Sequence, residues 1–235
     1  MVLPAKIFEI KEEVHIKSIF QSLKNFREEV PFEMNGNDSV NLLTDISNLN
    51  FKGDRLIGEY NKDFINRRIY RGEVVETPIT EKASFWIKSF ENRIFIIIQA
   101  PSGTSSGKKL ITNHVANKIS GILFDNSRGI IETKISHETL KSLHESNPEA
   151  TKLIWFDDVN IPGINKLCLA GSNLADTNLY NDYLNHGKIW YVVFQVQKHE
   201  IVIGITRNCV VTLFSKSTIT DFLNYILDDV LKLVE

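Results

Sequence analysis

Between residues 40 and 99 the chain alternates β-prone runs with turn-forming punctuation so closely that a parallel sheet has no room for its crossover helices. The runs are NLNFKGD, RLIGEYN, FINRRIY, GEVVETPI, ASFWIKSF and RIFIIIQA, separated by Gly-Asp, Asn-Lys-Asp, Arg-Gly and Glu-Asn. Parallel neighbours need a connection of about a dozen residues, whereas antiparallel neighbours can be joined by a two-residue turn. The spacing therefore predicts an antiparallel meander that turns at these polar residues, and it argues against a Rossmann-like half.

The flanks add helices. A short strand is expected at Ala5–Ile10, after which Val14, Ile16, Ile19, Phe20, Leu23 and Phe26 recur at helical spacing and predict a helix over 13–29 that Pro31 ends. Ile111, Val115, Ile119, Ile122 and Leu123 mark a helix over 108–123, followed by a strand at Ile130–Ile135, a helix over 137–146 and a buried strand at 153–158. In the mixed stretch that follows, LCLAG is extended, and Asp176 caps a short helix through Tyr183 that closes at His186-Gly187. The final strands IWYVVFQVQ, IVIGITR and CVVTLFS lead into a helix capped by Ser217 or Thr218 and striped with Ile219, Phe222, Leu223, Ile226, Leu227, Val230 and Leu231. The class is α+β: antiparallel β-meanders with helices packed on one face, closing with a three-strand meander and a C-terminal helix. Residues 1–125 and 126–235 divide as two halves, or run together as one continuous domain.

Composition removes several functions. Lys and Arg number 27 against 29 Asp and Glu, a net charge of −2, so the chain is no general polyanion coat, although a local basic patch is allowed. At 235 residues and 43% hydrophobic, it can build a core without staples. Cys168 and Cys209 have no CxxC spacing, so neither a disulfide framework nor a cysteine zinc site is expected. The charged start MVLPAKIFEIKEEVHIK does not read as a signal peptide, and the longest apolar run, Ile94–Ile98, is far too short for a membrane helix. A cytoplasmic protein without membrane contact is the expectation.

Two partial motifs bear on enzymatic chemistry. IFIIIQAPSGTSSGKK at 94–109 has the strand, Gly/Ser loop and lysines of a phosphate-binding loop, with Asp157 or Asp158 as a Walker B-like companion. However, Ser102 stands where the first Gly belongs and Lys109 where the magnesium-binding hydroxyl belongs. Nucleotide hydrolysis is not expected; contact between the loop and an anion survives as a weaker form. Glu132 and Lys134 on IIETKI resemble the Glu-x-Lys half of a PD-(D/E)xK nuclease, with Asp125 as the earlier acid. Such a site would place carboxylates on magnesium and a lysine at the attacked phosphate. This metal-dependent nuclease is the alternative reading, and only there is a cofactor, magnesium, implied.

The leading reading comes from YNKDFINRRIYRG. It interleaves Lys62, Arg67, Arg68 and Arg71 with Tyr60, Phe64 and Tyr70, as a β-ribbon that pairs arginines with phosphates and stacks aromatics on bases would. Lys108, Lys109 and Arg207 are candidates to extend it. The six histidines form no metal-ligand spacing and no serine-hydrolase elbow is present, so no metal site is expected. The sequence thus predicts a non-catalytic DNA- or RNA-binding or nucleoprotein accessory protein. A third reading is a protein-interaction subunit or homo-oligomer docking through the Ile219, Phe222, Ile226 stripe.

Overall fold

The structure is a computed structural model that describes residues 2–35, 39–100, 111–215 and 217–235. Among the described residues are twelve strands and five α-helices, the expected α+β class with antiparallel meanders. The chain forms two compact units, one spanning Phe8–Ile131 and the other joining the stretch up to Ile7 with Glu132–Glu235. Strand β1 (Leu3–Ile10) contributes to both.

In the Phe8–Ile131 unit, helix α1 (Ile16–Leu23) precedes β2 (Arg27–Glu33), β3 (Ser39–Lys52), β4 (Arg55–Tyr70), β5 (Glu73–Phe90) and β6 (Arg93–Gln99), and α2 (Thr112–Phe124) follows. The strands lie in sequence order, β2-β3-β4-β5-β6, with β1 next to β6. Period-two alternation puts Leu56, Tyr60, Ala83, Phe85, Ile87, Ile96 and Ile98 into a single core cluster. Ile19 and Leu23 of α1 and Val115, Ala116 and Ile119 of α2 complete it. Gly58, opposite Phe85 in the register, leaves space for that ring: a β-carbon at 58 would lie 2.4 Å from Phe85 Cζ.

Two expectations change here. The helix over 13–29 stops at Leu23, because Asn25 turns the chain at φ 66° and residues 27–33 pair with β3 instead. Pro31 lies inside β2, the outermost strand of this sheet, where no ladder partner needs its missing N–H. The six runs of the meander also merge into fewer, longer strands. Asn61-Lys62-Asp63 is not a turn but lies within β4, and Thr77 and Pro78 within β5, so β4 and β5 form one hairpin paired from Arg55↔Lys88 to Tyr70↔Glu73. Its two-residue loop, Arg71 at φ 52° and Gly72 at φ 87°, has the double positive φ of a hairpin turn whose twist matches the strands.

The other unit contains α3 (His137–Glu145), β8 (Thr151–Asp157), β9 (Leu167–Ala170), α4 (Asn178–His186), β10 (Lys188–Val196), β11 (Ile201–Thr206), β12 (Val210–Leu213) and α5 (Ile219–Tyr225). Its sheet order is β1-β12-β11-β10-β8-β9, and short β7 (Ile130–Glu132) pairs with β1. Thr177, not Asp176, caps α4 by accepting from Tyr180 N–H, since Asp176 closes a preceding 3-10 turn. Thr218 caps α5 by accepting from Asp221 N–H. The apolar stripe is largely buried: Phe222 of α5 and Ile226, just past its end, are fully buried, whereas Ile219 is exposed. It therefore offers no open docking face of the kind the sequence suggested. None of the described helices is long and apolar enough to cross a membrane.

Candidate functional site

The distinctive surface of the Phe8–Ile131 unit is the outer half of the β4–β5 hairpin. Strand β3 accompanies β4 as far as Thr44↔Lys62, and β6 accompanies β5 only from Phe85 onward. Between these limits the ribbon is two strands wide. It stays paired over its whole length, yet Arg67 to Val74 are largely solvent-exposed. A lone two-stranded ribbon is marginal in water, so cross-strand pairs must hold it. Thr80 donates to Asp63 at 2.6 Å, and Arg67 pairs with Glu76 at 2.7 Å. Glu76 also accepts from the backbone N–H of Asn35 at 2.9 Å, and these donors hold its carboxyl below the usual carboxylate range.

Strand alternation sorts the residues picked out from the sequence into two faces. Tyr60, Lys62, Phe64, Arg68 and Tyr70 share one face of β4; Arg67 lies on the other, committed to Glu76. Arg68 has no ion-pair partner among the described residues, and Arg71 at the turn lies over the Tyr70 ring at 5.5 Å. Ile69 is 79% exposed and cross-strand from exposed Val74. The tip thus combines two guanidinium groups that meet no carboxylate among the described residues with an exposed aromatic ring and an apolar pair.

Tyr60 and Lys62 lie at the root instead. Tyr60 is fully buried, and its hydroxyl has no hydrogen-bond partner among the described residues. Burial, aided by the Glu28 charge, pushes that hydroxyl up to about 12. Tyr60 therefore cannot stack on a base, correcting that part of the expectation. Half-buried Lys62 places Nζ 3.0 Å from His114 Nε2 and 5.4 Å from the Phe64 ring centre. Burial and the nearby Lys118 charge lower the Lys62 pKa; burial, Lys62 and Lys118 lower that of His114. Lys118 pairs with Glu28 at 2.5 Å. Sequence reasoning missed His114 and Lys118, although their four-residue spacing on α2 is a visible sign of a shared face.

The other candidates fare differently. Lys108 and Lys109, with the whole 101–109 loop, lie outside the described residues. Arg207 belongs to the other unit, where it donates to both Asp157 oxygens at 2.6 Å and to Asp158 at 3.4 Å. The same contacts occupy both carboxylates considered as Walker B companions. Asp125 is the left-handed C-cap of α2 in one unit, whereas Glu132, paired with Lys6 at 2.9 Å, and Lys134 belong to the other. Neither unit assembles that trio by itself, and Lys134 lies beyond the end of β7. No group of three or more His, Cys, Asp and Glu at metal-binding distance occurs among the described residues. A cleft of about 410 Å³ next to His137, Lys188, Trp190 and the Arg207–Asp157 pair is also invisible in the sequence, because it depends on β8 and β10 coming together.

Compared with protein-family profiles and with curated proteins, the chain finds no match in either.

Proposed function

We propose that the protein binds nucleic acid without cleaving it, using the outer β4–β5 ribbon as its contact element. The observation that carries this reading is the exposed tip, where Arg68 and Arg71 have no carboxylate partner among the described residues and Tyr70 and Ile69 stand open beside them. A two-stranded ribbon fits the width of a duplex major groove, and an exposed aromatic ring serves equally as a stacking platform for unpaired bases. The near-neutral whole chain confines the affinity to this element, so binding is expected to be weak and strongly salt-dependent.

Fluorescence anisotropy with duplex DNA, single-stranded DNA and RNA at low ionic strength tests it. The wild type should bind at least one of the three, with affinity falling as salt rises. Arg68→Ala with Arg71→Ala should lower the slope of log affinity against log salt by about 0.7–0.9 for every phosphate that an arginine no longer neutralises. Tyr70→Ala should cost about 1–3 kcal/mol if bases stack on the ring. Arg67→Ala provides the contrast, because its guanidinium is engaged by Glu76: it should loosen the ribbon while leaving the salt slope nearly unchanged. No salt-dependent affinity for any probe, or an unchanged slope in the double variant, would rule the reading out.

A further inference from the structure

We propose that α4 is an acid-opened strap: Tyr180 latches it over the buried His144 ring, and protonation of that ring releases the helix. The strap belongs to the unit containing Glu132–Glu235 and is independent of the nucleic-acid reading. His144 has no exposed surface and lies in the last turn of α3. Its Nδ1 is 2.8 Å from Thr151 Oγ1, and its Nε2 is buried without a partner among the described residues. Whichever nitrogen carries the proton at neutral pH, an imidazolium would present two N–H donors to that one hydroxyl oxygen. A charged donor buried without an acceptor is strongly disfavoured, so the charged ring is stable only where Nε2 reaches water.

What covers the ring decides how water arrives. The Tyr180 ring stands edge-on to His144 with centroids 4.9 Å apart, and 6.2 Å from the Phe156 ring. Tyr180 is also the one residue of α4 that is fully buried; Tyr183 is half-buried and Leu179 is exposed. A helix held by a single buried side chain opens at lower cost than elements with more buried contacts. Helix α3 is held more firmly, by buried Leu140 and His144 and by the Ile189 N–H that donates to His137 at 2.8 Å. Two polar contacts of α4 need no change of protonation at His144: the Tyr180 hydroxyl donates to Glu145 at 3.2 Å, and His186 Nδ1 donates to Asn160 at 2.8 Å. The groups around His144 are Glu145, which Lys141 approaches at 3.8 Å on α3, Tyr180 on α4, and the uncharged Thr151 at the start of β8. Lys188, the one charged residue of β10, acts instead on His137 at the other end of α3. Burial outweighs the Glu145 charge and keeps the His144 pKa below its ordinary 6.5 while α4 is closed. Once water reaches the ring the ordinary value returns, so the closed form is fully favoured above about pH 6.5 and weakens as the pH falls below it.

Hydrogen exchange of the full chain between about pH 7.5 and about pH 5 tests the strap, read as protection factors because intrinsic exchange itself slows in acid. The α4 amides should be less protected than those of β10 and β11 at every pH. Below about pH 6.5 they should lose protection by up to about tenfold per pH unit, the limit for uptake of one proton. His144→Gln should make α4 protection independent of pH over this range. Tyr180→Phe, which keeps the ring and removes its hydroxyl, serves if that variant does not fold: α4 protection should fall about tenfold at every pH, the scale of one hydrogen bond to a charged group, and the acid response should persist. An acid response that disappears with the hydroxyl would make Glu145 the trigger and overturn the proposal. It is equally overturned if wild-type α4 protection does not change with pH, if His144→Gln keeps the wild-type response, or if α4 and β10 are equally protected throughout, the mark of exchange by global unfolding alone.

Discussion

Phe85→Ala is expected to destabilise the Phe8–Ile131 unit by about 3–5 kcal/mol, the range for removing a buried aromatic ring. Phe85 is fully buried in the core between the sheet and helices α1 and α2, and its ring occupies the space over Gly58. An alanine leaves a cavity bounded on one side by a residue that cannot fill it, since glycine has no side chain to relax into the space. Gly58→Val fails for the opposite reason: its β-carbon would lie 2.4 Å from Phe85 Cζ and 2.9 Å from Leu49 Cδ1. Overpacking of that kind costs about 1–3 kcal/mol or more. Because each change relieves the other's defect, the double variant should lose clearly less than the sum of the two. Urea denaturation followed by Trp86 fluorescence, in a background with Trp155 and Trp190 replaced by Phe, isolates this unit. Additive losses in the double variant would show that Gly58 and Phe85 do not share one packing site.

The second large effect is expected in acid and belongs to the other unit. His144 is fully buried on α3, with Nδ1 2.8 Å from Thr151 Oγ1 and no partner at Nε2 among the described residues; the Tyr180 ring lies edge-on at 4.9 Å. Burial holds its pKa below the ordinary 6.5, opposed only by the charge of neighbouring Glu145. The unfolded chain therefore takes up this proton before the folded one does. Stability from His144 is fully present above about pH 6.5 and is lost as the pH falls from there toward the folded pKa, at up to about 1.4 kcal/mol per pH unit. His114 and His137 are shifted in the same direction, chiefly by burial, so the whole protein should weaken over this interval. A His144→Gln variant separates the contributions. It should be less stable than the wild type at pH 7.5, where the buried imidazole is removed without benefit, and the gap should narrow toward pH 5. Parallel stability curves for the two proteins across that interval would show that His144 is not responsible.

Local signals account for what is legible in the chain. The antiparallel class follows from the distance between turn residues in 40–99, because a two-residue loop leaves the chain no path but back along itself. Arg71-Gly72 is legible as a hairpin turn for the same reason, and the C-terminal helix from its apolar spacing and the Ser217-Thr218 cap. The errors arise where neighbours outvote local chemistry. Asn61-Lys62-Asp63 resembles a turn, yet Asn61 donates to Asp45 and Ser47 across β3, and Leu43 N–H donates to Asp63; these cross-strand bonds let β4 continue through them. Residues 27–33 carry a helix-compatible pattern, but an edge position beside β3 supplies hydrogen bonds that a helix ended by Pro31 could not.

The candidate surface divides along the same line. The sequence by itself determined which cationic and aromatic residues the ribbon would carry, and strand alternation determined which of them share a face. Only the tertiary structure decided their roles. Where β3 and the helices flank β4, Tyr60 is buried and Lys62 is turned to His114; where they end, Arg68, Tyr70 and Arg71 reach solvent. Periodicity is a property of the backbone and is written in the chain, whereas burial and charge pairing depend on which distant segment arrives alongside, and no local pattern encodes that arrival.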